Sequence, residues 1–226
     1  MADEQDVLLR EIDEDLKQER LEKLWNTYGN YAIAGALALV IGVAGTKAWQ
    51  SYDLDQRMQQ GERFAAASKL VSDGKTEDAL SALQMLGKDA NAGYAMLARF
   101  QAAALTGKQG DAAGAASMYG ALADDGGLAD VYRNLAVVLG ALQELDAGKG
   151  GSKLVIRADG LAKSENPWRY NAREVQALAA LSNGDMKVAG EIFKELAETA
   201  GAPGGVQARA REMLAITGTS GNAKTN

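Results

Sequence analysis

The chain has 226 residues, 47% of them apolar and 24% charged, and a formal net charge of −6. It contains neither Cys nor His, which excludes a disulfide framework, a thiolate nucleophile, a Cys/His zinc site and any imidazole base. Alanine occurs 43 times against 3 Phe and 3 Trp, and an Ala-rich, Pro-poor chain favours closely packed helices over strands.

Residues 1–24 form an acidic tail. It holds nine acids and four bases, a net −5, so the rest of the chain is close to neutral. That balance argues against nucleic-acid binding, which needs a basic footprint. Leu9, Ile12 and Leu16 recur at helical spacing between charged residues, so the tail reads as an amphipathic helix leading into the next segment.

Residues 25–49 read as a transmembrane helix. No charge occurs from Leu24 to Thr46, and a span needs about 20 predominantly apolar residues. Trp25, Tyr28 and Tyr31 stand on one side of the apolar heart and Trp49 and Tyr52 on the other, as aromatic belts do at two interfaces. The preceding region is long and negative, unlike a cleavable signal peptide, so an uncleaved signal anchor is expected. Arg10, Lys17, Arg20 and Lys23 before the span outnumber Lys47, Arg57 and Arg63 after it. The bias favours a cytoplasmic N-terminus and an exported body. Ala34, Ala38 and Gly42 recur every four residues, a small-xxx-small seam for packing against a partner's membrane helix or a second copy of the chain.

Residues 50–217 read as a stack of helix pairs. Ala79, Ala115 and Ala189 each follow a Gly-containing turn and precede a bulky apolar residue by four positions: Leu83, Tyr119 and Phe193. A second series, Ala98, Ala136 and Ala172, has the same period of about 36–38 residues. The pattern predicts helices near 50–73, 76–87, 91–107, 111–123, 127–146, 152–163, 168–182, 186–200 and 205–216. The last is a capping element after Pro203, and 218–226 is expected to be disordered. The fold class is therefore all-α: one transmembrane helix, then a tetratricopeptide-like helical-repeat solenoid.

Catalytic motifs are lacking. Asp124-Asp125 reads as a solvated turn. The Gly-Lys pairs at 107–108 and 148–149 lack the upstream glycine of a phosphate loop, and Lys153 stands where a dinucleotide fingerprint needs its third glycine. No enzyme activity, cofactor or metal is expected. A binding face is more natural for a repeat stack. Taking Ala98, Ala136 and Ala172 as buried, Arg99, Arg133, Arg169 and Arg173 are placed on one face with Ala95 and Val137. There they would hold a carboxylate or an acidic partner segment. Trp168, following Pro167 at a helix start, reads as core.

The charged tail with Arg20-Leu-Glu-Lys-Leu-Trp25, the single span, and degenerate repeats with Asn166-Pro-Trp168 late among them resemble the bacterial ancillary SecYEG translocon subunits. That resemblance implies a single-pass inner-membrane protein with a periplasmic repeat domain. It implies association with the Sec translocon channel, with a membrane-anchored periplasmic chaperone and with exported proteins, and no catalytic residues. The alternative is an envelope adaptor that coordinates cell-division or cell-wall machinery.

Overall fold

The computed structural model describes the backbone of residues 2–149, 151–163 and 165–222, and the side chains of 22–31, 33–149, 151–163 and 165–217. Every element among the described residues is a helix. In chain order they are α1 (Ala2–Ser72), α2 (Thr76–Asp89), α3 (Ala92–Lys108), α4 (Ala112–Ala123), α5 (Asp130–Asp146), α6 (Lys153–Ala162), α7 (Arg169–Ser182), α8 (Met186–Glu198) and α9 (Gly204–Asn222). The amphipathic pattern expected over the acidic tail falls on side chains outside the described residues. Of the end expected to be disordered, 218–226, the backbone of 218–222 continues α9 and 223–226 lie outside the described residues.

The chain divides into two compact units, one up to Met58 and one from Gln59. In the first unit the apolar residues of α1 lie on the surface: Tyr31, Leu39 and Ile41 are exposed, as are Trp25 and Trp49. By length and composition this segment is sufficient to cross a membrane or to act as a signal sequence. Ala34, Ala38 and Gly42 are exposed too, and a Cβ added at Gly42 would meet nothing within 4 Å.

The second unit consists of four helix pairs and a final helix. The end of α1 packs Ala67 against Ala79 and Leu83 of α2, then α3 pairs with α4, α5 with α6, and α7 with α8, and α9 closes the stack on α8. Each pair turns in the same way. Gly74, Gly110, Gly148 and Gly184 are the only described residues with positive φ, from 73° to 92°. At each, the next residue's N–H donates to a carbonyl five residues back, as in Lys75 to Leu70 at 2.9 Å and Asp185 to Ala180 at 2.9 Å. This is the glycine-capped helix end in which a side chain would be strained. Seven residues before each glycine stands a buried alanine: Ala67, Ala103, Ala141 and Ala177. The repeat therefore has four members, and the first is the end of α1.

The second helices of the second and fourth pairs, α4 and α8, begin with their own side-chain cap. Asp111 accepts from the Gly114 N–H at 2.7 Å and Asp185 from that of Val188 at 3.1 Å, satisfying donors that a helix start leaves open. The third pair carries extra glycines before Ser152, and its cap comes from the partner helix. Glu144 of α5 accepts from the N–H groups of Leu154 and Val155 at 2.9 and 3.1 Å, and from the Ser152 hydroxyl. A helix start expected at 127 is displaced to Asp130. Asp125 accepts from the N–H of Gly127, and its carbonyl from that of Leu128, so these residues turn instead of winding.

The sequence series mark the core. Ala79, Ala98, Ala115, Ala136, Ala172 and Ala189 are all 0% exposed, as are Leu83 and Phe193. The third pair exchanges sizes: Leu154 and Ala158 are buried in α6 where the other pairs bury Ala and then a bulky residue. Gly140 makes room for Leu154. A Cβ at Gly140 would lie 2.5 Å from Leu154 Cδ1 and 2.9 Å from Tyr119 Cβ. Gly140→Ala therefore destabilises by about 1–2 kcal/mol, overpacking exceeding the gain in helix propensity. Exposed Gly160 of α6, whose Cβ would meet nothing within 4 Å, gains about 0.5–1 kcal/mol on Gly160→Ala. Urea unfolding of the two variants checks the opposite signs.

Candidate protein-binding groove

The first helices of successive pairs line a groove of about 520 Å³. α5 and α7 pack together directly, whereas α3 and α5 stand further apart, and the groove opens there over Tyr119 of α4. The end of α1 contributes Phe64 and Ser68. α3 contributes Met96, Leu97, Phe100, Gln101 and Ala104, and α5 contributes Tyr132, Leu135 and Leu139. None of these side chains is charged. The repeat explains the lining: Leu97 and Leu135 occupy one repeat position, Gln101 and Leu139 another, and Phe64 and Phe100 a third.

The walls are fixed from within. Phe100 and Tyr119 rings stand 6.0 Å apart and tilted, and Phe64 stands 6.1 Å from Tyr94. Ser68 donates to Gln101 at 3.2 Å between α1 and α3. Burial pushes the Tyr119 hydroxyl above its usual pKa, so it stays neutral beneath the groove. At the mouth, Leu97 is 45% and Tyr132 41% exposed. A surface of this kind is suited in shape and polarity to apolar side chains.

The four arginines placed on a binding face by sequence lie elsewhere. They are one residue after or three before the buried alanines, whereas the groove uses the positions one before and three after. Each is also engaged within the chain. Arg99 pairs with Asp125 at 2.5 Å, Arg133 with Asp130, and Arg173 with Glu195 at 2.7 Å. Arg169 stacks its guanidinium 4.4 Å from the Tyr170 ring centre and donates to the Tyr170 hydroxyl. Arg99 and Arg133 converge on Asp125, while Arg169 and Arg173 share α7. Trp168 packs against the central core, and its Nε1 donates to the Val131 carbonyl at 2.8 Å, tying α7 to α5.

The Asp124-Asp125 turn does more than expose two carboxylates. Asp124 binds Lys153 at 2.9 Å and Arg157 at 2.6 Å, both on α6, and Asp125 binds Arg99 of α3. Lys153 and then Arg157 hold the Asp124 carboxyl below its usual pKa; Arg99 and the Gly127 N–H do the same for Asp125. A depressed carboxylate stabilises the fold above its unfolded pKa, near 4, and that contribution is lost as pH falls through the lower folded value. The thermal midpoint is accordingly expected to drop on acidification below about pH 4, and to drop less steeply in the Asp124→Asn, Asp125→Asn variant.

Fold and groove together define a helical-repeat protein of the protein-binding kind. A tetratricopeptide repeat-like domain family model matches residues 22–150, more than half of the chain. The chain belongs to that family, whose repeat domains are typically non-catalytic scaffolds for other proteins. No curated protein and no solved structure matches it. The repeat continues beyond the matched residues, through the turn at Gly184 to α9.

Proposed function

We propose that this chain is a non-catalytic scaffold or chaperone accessory, anchored in the bacterial inner membrane at the Sec translocon. Residues 25–49 anchor it with the N-terminus cytoplasmic, and the repeat domain is periplasmic. The uncharged groove over Tyr119 carries the reading, because it exposes Leu97 and Tyr132 in a domain family built for protein contact. The exposed apolar segment of α1 supports the anchor, and the resemblance to ancillary translocon subunits supports the Sec channel, a membrane-anchored chaperone and exported proteins as partners. Ala34, Ala38 and Gly42 are the proposed packing face within the membrane.

Affinity purification of the full chain from solubilised native membranes tests this. Sec channel subunits are expected to co-purify, with recovery reduced about tenfold by Leu97→Asp with Tyr132→Asp, the equivalent of about 1.4 kcal/mol of binding. Recovery of cell-division or cell-wall proteins without the channel would instead establish the envelope adaptor. Reversing Arg99 and Arg133 to Glu is expected to leave recovery intact. If that reversal abolishes it while the groove variant does not, the arginine row is the binding face.

A further inference from the structure

Two polar side chains of the groove stand where the repeat otherwise puts apolar ones. Nine residues after its turn glycine, the second helix of the first pair buries Leu83 and that of the fourth buries Phe193, both completely. The second pair places Tyr119 there, 4% exposed. Nine residues before the turn glycine, the first, third and fourth pairs have Ala65, Leu139 and Val175, and the second has Gln101. Both exceptions fall in one pair, and both line the groove.

Neither is explained by the fold. The Gln101 side-chain oxygen accepts from Ser68, but among the described residues its amide nitrogen donates to nothing, and the Tyr119 hydroxyl has no hydrogen-bond partner. A phenylalanine would fill the Tyr119 position, as Phe193 fills that of the fourth pair, without the cost of burying a hydroxyl. No fully enclosed side-chain nitrogen or oxygen among the described residues lacks a partner. The Tyr119 hydroxyl and the Gln101 amide nitrogen therefore reach open space, and the space these side chains line is the groove.

We infer that these two groups bond the backbone of an extended, uncharged segment of an unfolded protein; the inference rests on the groove being the binding site. Gln101 supplies N–H donors, and the Tyr119 hydroxyl both donates and accepts. A helix offers them side chains only, because its backbone groups are spent on one another. An extended chain carries a free carbonyl and a free N–H at each residue, with side chains alternating to opposite sides. The uncharged lining selects against Asp, Glu, Lys and Arg, which would lose water and gain no partner. Apolar stretches free to extend are exposed before a protein folds and buried afterwards. Bonds to the backbone serve any such stretch whatever its sequence.

The test uses the full chain in lipid nanodiscs, since detergent would compete for the groove, and a labelled peptide of alternating Leu and Ser read by fluorescence anisotropy. Saturable binding is expected, clearly tighter than that of the same sequence locked as a helix by a hydrocarbon staple. Tyr119→Phe and Gln101→Leu should each weaken it about fivefold, as loss of one net hydrogen bond does, with the thermal midpoint of Tyr119→Phe unchanged or raised. Replacing peptide amides one at a time by esters removes an N–H and weakens a carbonyl. At one position this should weaken binding to the unaltered chain, while Tyr119→Phe binds amide and ester alike. Undiminished binding by Tyr119→Phe and Gln101→Leu, or equal binding of the helical form, would overturn the inference. The groove would remain the site if Leu97→Asp with Tyr132→Asp still abolished that binding. Binding indifferent to the aspartate pair, or no saturable binding at all, would overturn the reading of the groove and this inference with it.

Discussion

Phe193→Ala is expected to remove about 3–5 kcal/mol from the stability of the repeat domain, as large-to-small changes of a buried aromatic do. Phe193 is fully buried in α8, among Ala177 of α7, Ala189 and Leu196 of its own helix, and Val206 and Ala210 of α9. Ala177, Ala189 and Ala210 cannot reach into the space left behind, and Ile192, Leu196 and Val206 are already packed in the same cluster, so the site collapses only in part. A typical domain has only about 5–15 kcal/mol in total. In a repeat stack, damage stays near its origin because each pair contacts only its neighbours. Hydrogen exchange should therefore show α7, α8 and α9 losing protection first, while the cluster of Ala67, Ala79 and Leu83 keeps its own. Uniform loss over all helices would show a single cooperative unit instead.

Arg209→Ala is the second large effect. Arg209 of α9 grips Glu174 of α7 in a two-bonded pair, Nε to Oε1 and a terminal nitrogen to Oε2, both at 2.7 Å. The Glu174 side chain is 11% exposed and that of Arg209 53%. The Glu174 hydrogen bond raises the Arg209 pKa further above its usual value, so the cation persists at every accessible pH. Truncating Arg209 strands a nearly buried carboxylate, a change that costs several kcal/mol deep in a core. With one partner half in water the cost falls to about 2 kcal/mol. Replacing both residues by Leu should be close to neutral, because the pair's own net worth is small. Chemical unfolding of the single and double variants measures the difference, and the single variant should also speed exchange of the α9 amides.

The repeat was legible because its small positions obey geometry. Ala79, Ala115 and Ala189, and Ala98, Ala136 and Ala172, are buried where their spacing places them. The first helix of the first pair was not found by that series, because Glu62 stands at the position the other pairs give to Ala98, Ala136 and Ala172. With no preceding pair to pack against, that position is free to be charged. Ala67 and the turn glycine seven residues later do carry the full period.

The groove was harder to read. Each residue turns a helix by about 100°, so a register that turns one side of Ala98 to the binding face selects Arg99, and the opposite one selects Leu97, which lines the groove. The bonds that occupy the arginines were equally hidden. Asp125 lies 26 residues from Arg99, and Glu195 lies 22 from Arg173. Such pairings follow from stacking and not from local pattern. A turn of two aspartates and two glycines gave no sign that it braces α3 and α6.

The central claim is that proteins are held in the groove between α3 and α5. Photocrosslinking in native membranes tests it most directly, with the reactive side chain placed at Leu97, at Tyr132 or at Ile156, which is 62% exposed on α6 outside the groove. Protein adducts from positions 97 and 132, and none from 156, are the predicted result. Adducts of equal yield from 156, or none from 97 and 132, would contradict the account.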